Sequence, residues 1–230
     1  MSNPEFWNGK YSDESYLYGT KPNVFLARLG EFAPGGAAVL EAACGEGRNA
    51  VYLAGRGFRV TGVDFSSEAL RKARALARRH GVYPEFIEAD LASFRPALRF
   101  DAAVTAFLHG EPRQRAAYYR LLQNAVRPGG WVLGEWFRPE QRTDGYSSGG
   151  PPSPEAMVTA EELREAFAEW HIELLEETEY TLREGRGHKG PGAVVRLAAQ
   201  KPAQKPAQQA TRQSASVITG NSPESPRTSP

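Results

Sequence analysis

Glu41-Ala42-Ala43-Cys44-Gly45-Glu46-Gly47-Arg48-Asn49 is the stretch that decides the fold. Ahead of the turn, AVLEAAC (38–44) is a short apolar run that reads as a buried strand. Behind it, GRNAVYLAGRG (47–57) reads as a helix stopped by Gly57. A strand that ends at an acid therefore meets a turn of small residues, and the turn opens a helix. Small side chains let a ligand approach the backbone, and the free N–H groups at a helix start point at it. In a parallel sheet such ligands sit beyond the carboxyl ends of the strands, at the switch point.

Outward from this turn the alternation continues. FRVTGVDFS (58–66) reads as a second strand, and SSEALRKARALARRHG (66–81) as a helix. Ser66 is placed as its N-cap, Glu68 in its first turn, and Ala69, Leu70, Ala73, Leu76 and Ala77 on one stripe. Gly81 ends it. PEFIEADL (84–91) and FDAAVTAF (100–107) are the third and fourth strands. A helix over 112–126, the turn Arg127-Pro128-Gly129-Gly130 and a fifth strand, WVLGEWF (131–137), follow. Thr159-Ala160-Glu161-Glu162 has the form of a capping box, opening a helix with Leu163, Ala166, Phe167 and Trp170 on one side. Two late strands lie near 172–183 and 192–199. Strand–helix alternation of this kind is an α/β pattern: a parallel sheet with helices on both faces.

The second and third strands repeat the feature of the first. Asp64 ends the second strand, 17 residues past Gly47, where a carboxylate can accept both hydroxyls of a ribose. Asp90 ends the third, where it can accept an adenine amino proton while Leu91 and Phe65 pack on the ring. One strand-terminal Asp is often only a turn former. Acids at three successive strand ends (Glu41, Asp64 and Asp90) are a rarer pattern.

The composition sets bounds. The chain has 230 residues, 40% hydrophobic and 24% charged, enough for one domain with an appendage. No run of 18 apolar residues is present, so no membrane span is expected, and the first ten residues do not read as a secretory signal. A lone cysteine, Cys44, can form neither an internal disulfide nor a cysteine-rich metal site, which fits a cytoplasmic setting. The net charge is +1. Residues 201–230 hold four basic residues against one acid, a net of +3, which leaves the first 200 residues at −2. That balance argues against a nucleic-acid partner. The same 30 residues carry five prolines and only Val217 and Ile218 as sizeable apolar side chains, so a disordered tail is expected there. Residues 1–37, rich in aromatics from Phe6 to Phe32, read as a lid or cap region over a body of 38–200. Within it, Pro22 suits the first turn of a helix with Val24, Phe25, Leu29 and Phe32 on its apolar face.

VLEAACGEGRNA, VTGVDFS, IEADL, FDAAVTAF and RPGGWVLGEWF together resemble the successive motifs of the class I S-adenosylmethionine-dependent methyltransferases. The likeness covers about residues 5–200 and leans toward the small-molecule group around the tellurite-resistance and thiopurine methyltransferases. It implies a Rossmann-like sheet of seven strands, mostly parallel with the last antiparallel. It implies S-adenosyl-L-methionine as cofactor and a small-molecule acceptor with a sulfur, oxygen, nitrogen or chalcogen nucleophile. It also implies roles: Glu41, Ala43, Cys44, Gly45 and Asn49 around the methionine end, Asp64 at the ribose, and Asp90 and Leu91, with Phe65, at the adenine. Thr105 and Ala106 would line the methyl region. The sequence departs from the family at Ala43, where the loop's first glycine is expected.

Methyl transfer needs alignment and, for some nucleophiles, a base. His109 follows the fourth strand, and His188 lies in the turn 184–190 between the last two strands; both reach the ligand edge and are the candidate catalytic groups. The long loop 138–157 is placed to shape the acceptor pocket, with Tyr18, Trp136 and Tyr146 as lining residues. There is no Asn/Asp-Pro-Pro-Tyr/Phe stretch after the fourth strand, which argues against methylation of adenine or glutamine amino nitrogens. No metal is called for. Two other readings stay open at this point. A non-catalytic module that binds the same cofactor is one. A nicotinamide-dependent oxidoreductase is the other, and 43–50 lacks the G-x-G-x-x-G spacing it would need.

Overall fold

The computed structural model describes residues 3–203. Seven strands form one sheet in the order β3-β2-β1-β4-β5-β7-β6. These are β1 (Ala38–Ala42), β2 (Arg59–Asp64), β3 (Glu85–Glu88), β4 (Phe100–Ala106), β5 (Val126–Phe137), β6 (His171–Glu184) and β7 (His188–Gln200). The pairs among β1 to β5 are parallel, and β7 runs antiparallel to both β5 and β6. The chain leaves β1 toward β2 and β3, then returns past it to β4. The switch point therefore lies between β1 and β4, and the turn after Ala42 opens into that crevice.

The helices are α1 (Pro4–Tyr11), α2 (Arg48–Gly55), α3 (Ser67–His80), α4 (Pro112–Ala125), α5 (Glu140–Thr143) and α6 (Ala160–Ala166). β1 reads as an almost unbroken apolar run because both its faces are covered. Leu40, Ala42, Val63, Leu122, Trp136 and Phe167 pack on one side, and Val39, Phe25, Leu29, Leu53, Val104 and Leu133 on the other. α3 keeps the expected ends: Ser66 Oγ accepts from Ala69 N, and Gly81 closes the helix at φ 65°.

Several elements differ from the expectation. The turn 127–130 is a bulge inside β5, because pairing with β4 jumps from Phe100–Val126 to Ala102–Trp131. β6 and β7 run longer than expected and meet in a tight hairpin in which Glu184 pairs with His188 across residues 185–187. No α-helix begins at Pro22. Asn23 Oδ1 accepts from Phe25 N and Leu26 N, which delays the start, and only a short 3₁₀ turn forms over Leu26–Glu31. Val24 is exposed, whereas Phe25 and Leu29 are buried. α1, with Asn3 as its N-cap and Pro4 in its first turn, was not anticipated. At α6, Thr159 caps Glu162 N as expected, but the Glu162 carboxylate turns away to a bidentate bond with Arg115 and to Tyr119. The expected boundary after residue 200 also shifts. Lys201 Nζ donates to the Gln123 and Val126 carbonyls at the end of α4, so this residue belongs to the body. The rest of the expected tail, 204–230, lies outside the described residues. No described helix is long and apolar enough to cross a membrane.

Candidate active site

A cavity of about 740 Å³ opens at the carboxyl ends of β1, β2 and β4. Its floor is the turn after β1. Ala43, Gly45 and Gly47 all take left-handed backbone angles, with φ of 56°, 52° and 81°. The sequence departure at Ala43 is therefore a conformational one: a methyl-bearing residue sits where glycine costs least, at a penalty of roughly 1–2 kcal/mol. A Cβ on Gly47 would lie 2.7 Å from Ala73 Cβ, so glycine is needed there for α2 to start against α3. A Cβ on Gly45 would lie 3.2 Å from the Tyr11 hydroxyl, so the bare backbone lets Tyr11 approach the turn.

Asp64 is buried at the end of β2. Its two oxygens accept from Gly45 N at 2.8 Å and Ser66 N at 2.9 Å. Burial raises its carboxyl above the usual range, and the backbone N–H bonds oppose that shift. Each oxygen keeps an acceptor site for a ligand hydroxyl. Asp64, Phe65, Asp90 and Leu91 line one end of the cavity, and Ala43, Cys44, Gly45, Asn49 and Ala106 line its floor.

Glu41 and Thr105 do not reach the cavity. Thr105 donates to the Ala42 carbonyl and so ties β4 to β1 under the turn. Glu41 accepts from Asn49 Nδ2 at 2.8 Å through one oxygen, and its other oxygen is buried without a partner. Burial pushes its carboxyl up to about 8, against the pull of Asn49 and Arg48. A group raised in the fold gives stability that is whole below its unfolded value, near 4.5, and lost as pH rises through 8. Glu41→Gln should therefore change the melting temperature little at pH 5 and raise it at pH 9, relative to the parent. Equal effects at both values would contradict a protonated Glu41.

The N-terminal segment closes one wall. Trp7 and Tyr11 of α1 line the cavity, and Asn8 Oδ1 accepts from Ser66 Oγ at the head of α3. Lys72, buried on α3, donates to the carbonyls of Tyr11, Asp13 and Ser15 and pairs with Glu46 of the β1 turn. Glu46 in turn accepts from Leu17 N at 2.8 Å. The aromatic content of 6–18 was visible in the sequence; the lysine beneath it was hidden among the basic residues of α3.

Two of the expected lining residues stand elsewhere. Trp136 is in the core, edge-on to Tyr119, because alternation along β5 turns it to the opposite face from Phe137, which does line the cavity. Tyr146 bonds Glu179 on the outer surface. Arg142 gathers the carbonyls of Tyr146, Gly150 and Pro151, and this folds Gly149–Pro152 inward and leaves Tyr146 outside. Tyr18 lines the cavity as expected, joined by Phe107, which follows β4 at φ 57°.

Both candidate histidines border the cavity, in different states. His109 Nε2 accepts from Phe137 N at 3.4 Å, its Nδ1 is buried, and burial lowers its pKa to about 3. His188 is the first residue of β7, not part of the turn. Its Nδ1 lies 3.0 Å from Glu184 Oε2, which also accepts from Arg48 at 2.9 Å. Glu184 Oε1 accepts from Asn23 Nδ2 at 3.2 Å. Burial lowers His188, while the bond and charge of Glu184 pull it up. Burial alone would raise Glu184, but His188 and Arg48 outweigh it and hold the carboxylate ionised.

Residues 39–130 match the family model described as a methyltransferase domain. Over that stretch the chain is similar to S-adenosylmethionine-dependent methyltransferases. Among curated relatives, a ubiquinone biosynthesis O-methyltransferase of Paraburkholderia phytofirmans is 34% identical over 54% of this chain and 59% of its own length. A thiopurine S-methyltransferase of Pseudomonas putida is 27% identical over 76% of this chain and 88% of its own. The chain spans about half the length of most of the curated relatives it matches. The fold is similar to that of the N-methyltransferase NodS from Bradyrhizobium japonicum solved with S-adenosyl-L-homocysteine, with a TM-score of 0.65, 16% identity and coverage of 86% and 98%. The residues present fit the methyl donor S-adenosylmethionine. The β1 turn presents bare backbone at Gly45 beneath the Tyr11 hydroxyl, and Asp64 and Asp90 line the same cavity.

Proposed function

We propose that this protein transfers a methyl group from S-adenosyl-L-methionine to a small-molecule acceptor. The observation that carries the reading is one cavity bordered by the glycine-bearing β1 turn, by Asp64 and Asp90 at successive strand ends, and by His188. Asp64 would accept the ribose hydroxyls. Asp90, Leu91 and Phe65 would hold the adenine, and residues 43–45, with Asn49 behind them, the methionine end. The bound donor supplies an activated methyl on a sulfonium, so the protein's work is alignment, water exclusion and proton handling. His188 is the base of choice over His109, because the only lone pair of a neutral His109 already accepts from Phe137 N. The likeness to a thiopurine S-methyltransferase over most of both chains supports an acceptor of small-molecule size, and the single buried cysteine supports a cytoplasmic setting. No nucleic-acid or membrane partner is part of the proposal. An acceptor screen that reads S-adenosylhomocysteine release tests it: acceptor-dependent release is expected, and donor binding with no release from any acceptor would leave a binding module instead.

A further inference from the structure

The cavity has two chemically distinct ends. Acids crowd one end, at Asp64 and Asp90. The opposite wall is formed by Tyr18, Phe107, Phe137, His109, Pro151 and Pro152 around the His188 ring, and none of these side chains carries a charge at neutral pH. The rings of Tyr18 and Phe107 lie 4.4 Å from the His188 ring centre, and that of Phe137 lies 5.1 Å away. Of the charges nearest this wall, Arg48 and Glu184 are buried against each other behind it, and Glu111 sits at the rim, where it caps α4. A charged acceptor brought against these rings would lose hydration that uncharged faces cannot replace. A flat, uncharged one would find aromatic faces and proline edges.

His188 adds a second constraint. With Glu184 accepting at Nδ1, the neutral imidazole carries its proton there, and Nε2 is the basic nitrogen, with no hydrogen-bond partner among the described residues. A base backed by a buried carboxylate is of use only to a nucleophile that must lose a proton as it reacts. An aliphatic amine is an ammonium near neutral pH and would bring a charge to the uncharged wall, and an acidic thiol is already ionised there. A hydroxyl is neither.

We infer that the acceptor is an uncharged hydroxyarene, seated on the Tyr18–Phe107–Phe137 wall, that gives its hydroxyl proton to His188 Nε2, and that Glu184 is the positioning residue for that base. The inference rests on the methyltransferase reading above. The acceptor oxygen forms the new O–CH₃ bond as the methyl–sulfur bond breaks, with that bond's electron pair staying on the donor's sulfur. The hydroxyl proton passes to Nε2, and the resulting imidazolium faces the Glu184 carboxylate. The products are a methyl ether and a neutral thioether, and the proton is later released to water.

The test uses the full chain with S-adenosylmethionine and a fixed set of probes: phenol, 4-nitrophenol (largely ionised at pH 8), benzylamine, benzoate and selenite. The parent protein should methylate phenol at least about 100-fold faster than benzylamine, benzoate or selenite, the scale expected for burying an uncompensated charge. Glu184→Gln should lower kcat on phenol by about 10²-fold or more while changing kcat on 4-nitrophenol only a few-fold, since that acceptor needs no base. Donor affinity by calorimetry should stay within a few-fold. Should Glu184→Gln fail to fold, His188→Gln should give the same dependence on acceptor acidity. Equal losses on both phenols, faster reaction of a charged acceptor, or no methylation of any phenol by a protein that binds the donor would each overturn the inference. Failure to bind the donor at all would instead remove the reading on which it rests.

Discussion

His188→Ala should lower turnover about 10²- to 10⁴-fold, the range seen when an acid–base group is removed, and leave donor affinity nearly unchanged. The two effects separate because His188 stands at the β6–β7 end of the sheet, whereas the acids assigned to the donor lie at β2 and β3. The ring is held by Glu184 and by three aromatic neighbours, so the alanine variant leaves a cavity as well as removing a base. A melting curve taken beside the kinetics tells the two apart. A folded variant with full activity would make His188 a packing residue. It would not transfer the role to His109, whose pKa is depressed to about 3.

Asp64→Ala should weaken S-adenosylmethionine binding by about 10- to 150-fold, the equivalent of losing charge-assisted hydrogen bonds worth about 1.5–3 kcal/mol. Part of that loss has an indirect origin. Asp64 also fixes the β1 turn through Gly45 N and the head of α3 through Ser66 N. Asp64→Asn, which keeps one accepting oxygen for those N–H groups, should retain more of the fold's stability than alanine does. Calorimetry showing parental affinity in a folded Asp64→Ala variant would remove the ribose assignment.

What the sequence made legible was whatever has a local cause. The β1 turn, the strand-terminal acids and the capped, amphipathic α3 each follow from neighbouring residues, and the structure places Asp64, Asp90 and the β1 turn around one cavity. Contacts between distant segments left no such signature. Glu184, Arg48 and Asn23 meet across 136 and 161 residues of chain, and Lys72 reaches back to residues 11–15. Trp136 turns into the core and Phe137 into the cavity, a division the sequence hides because a fully covered strand shows no alternation from which to read its faces. Tyr146 faces outward for another reason: the direction of the 138–157 loop is set by Arg142 and its three carbonyl partners. The Thr159 box was half right because Glu162 found a buried Arg115 that local spacing does not reveal.

The central claim is that this cavity binds S-adenosylmethionine through the ends of β1, β2 and β3. Isothermal titration of the purified full chain with S-adenosylmethionine, and in parallel with NAD, tests it most directly. The account predicts a single site with micromolar affinity for S-adenosylmethionine, no heat with NAD, and a weakened site in Asp64→Ala. Saturable binding of NAD, or no binding of S-adenosylmethionine by the folded protein, would contradict it.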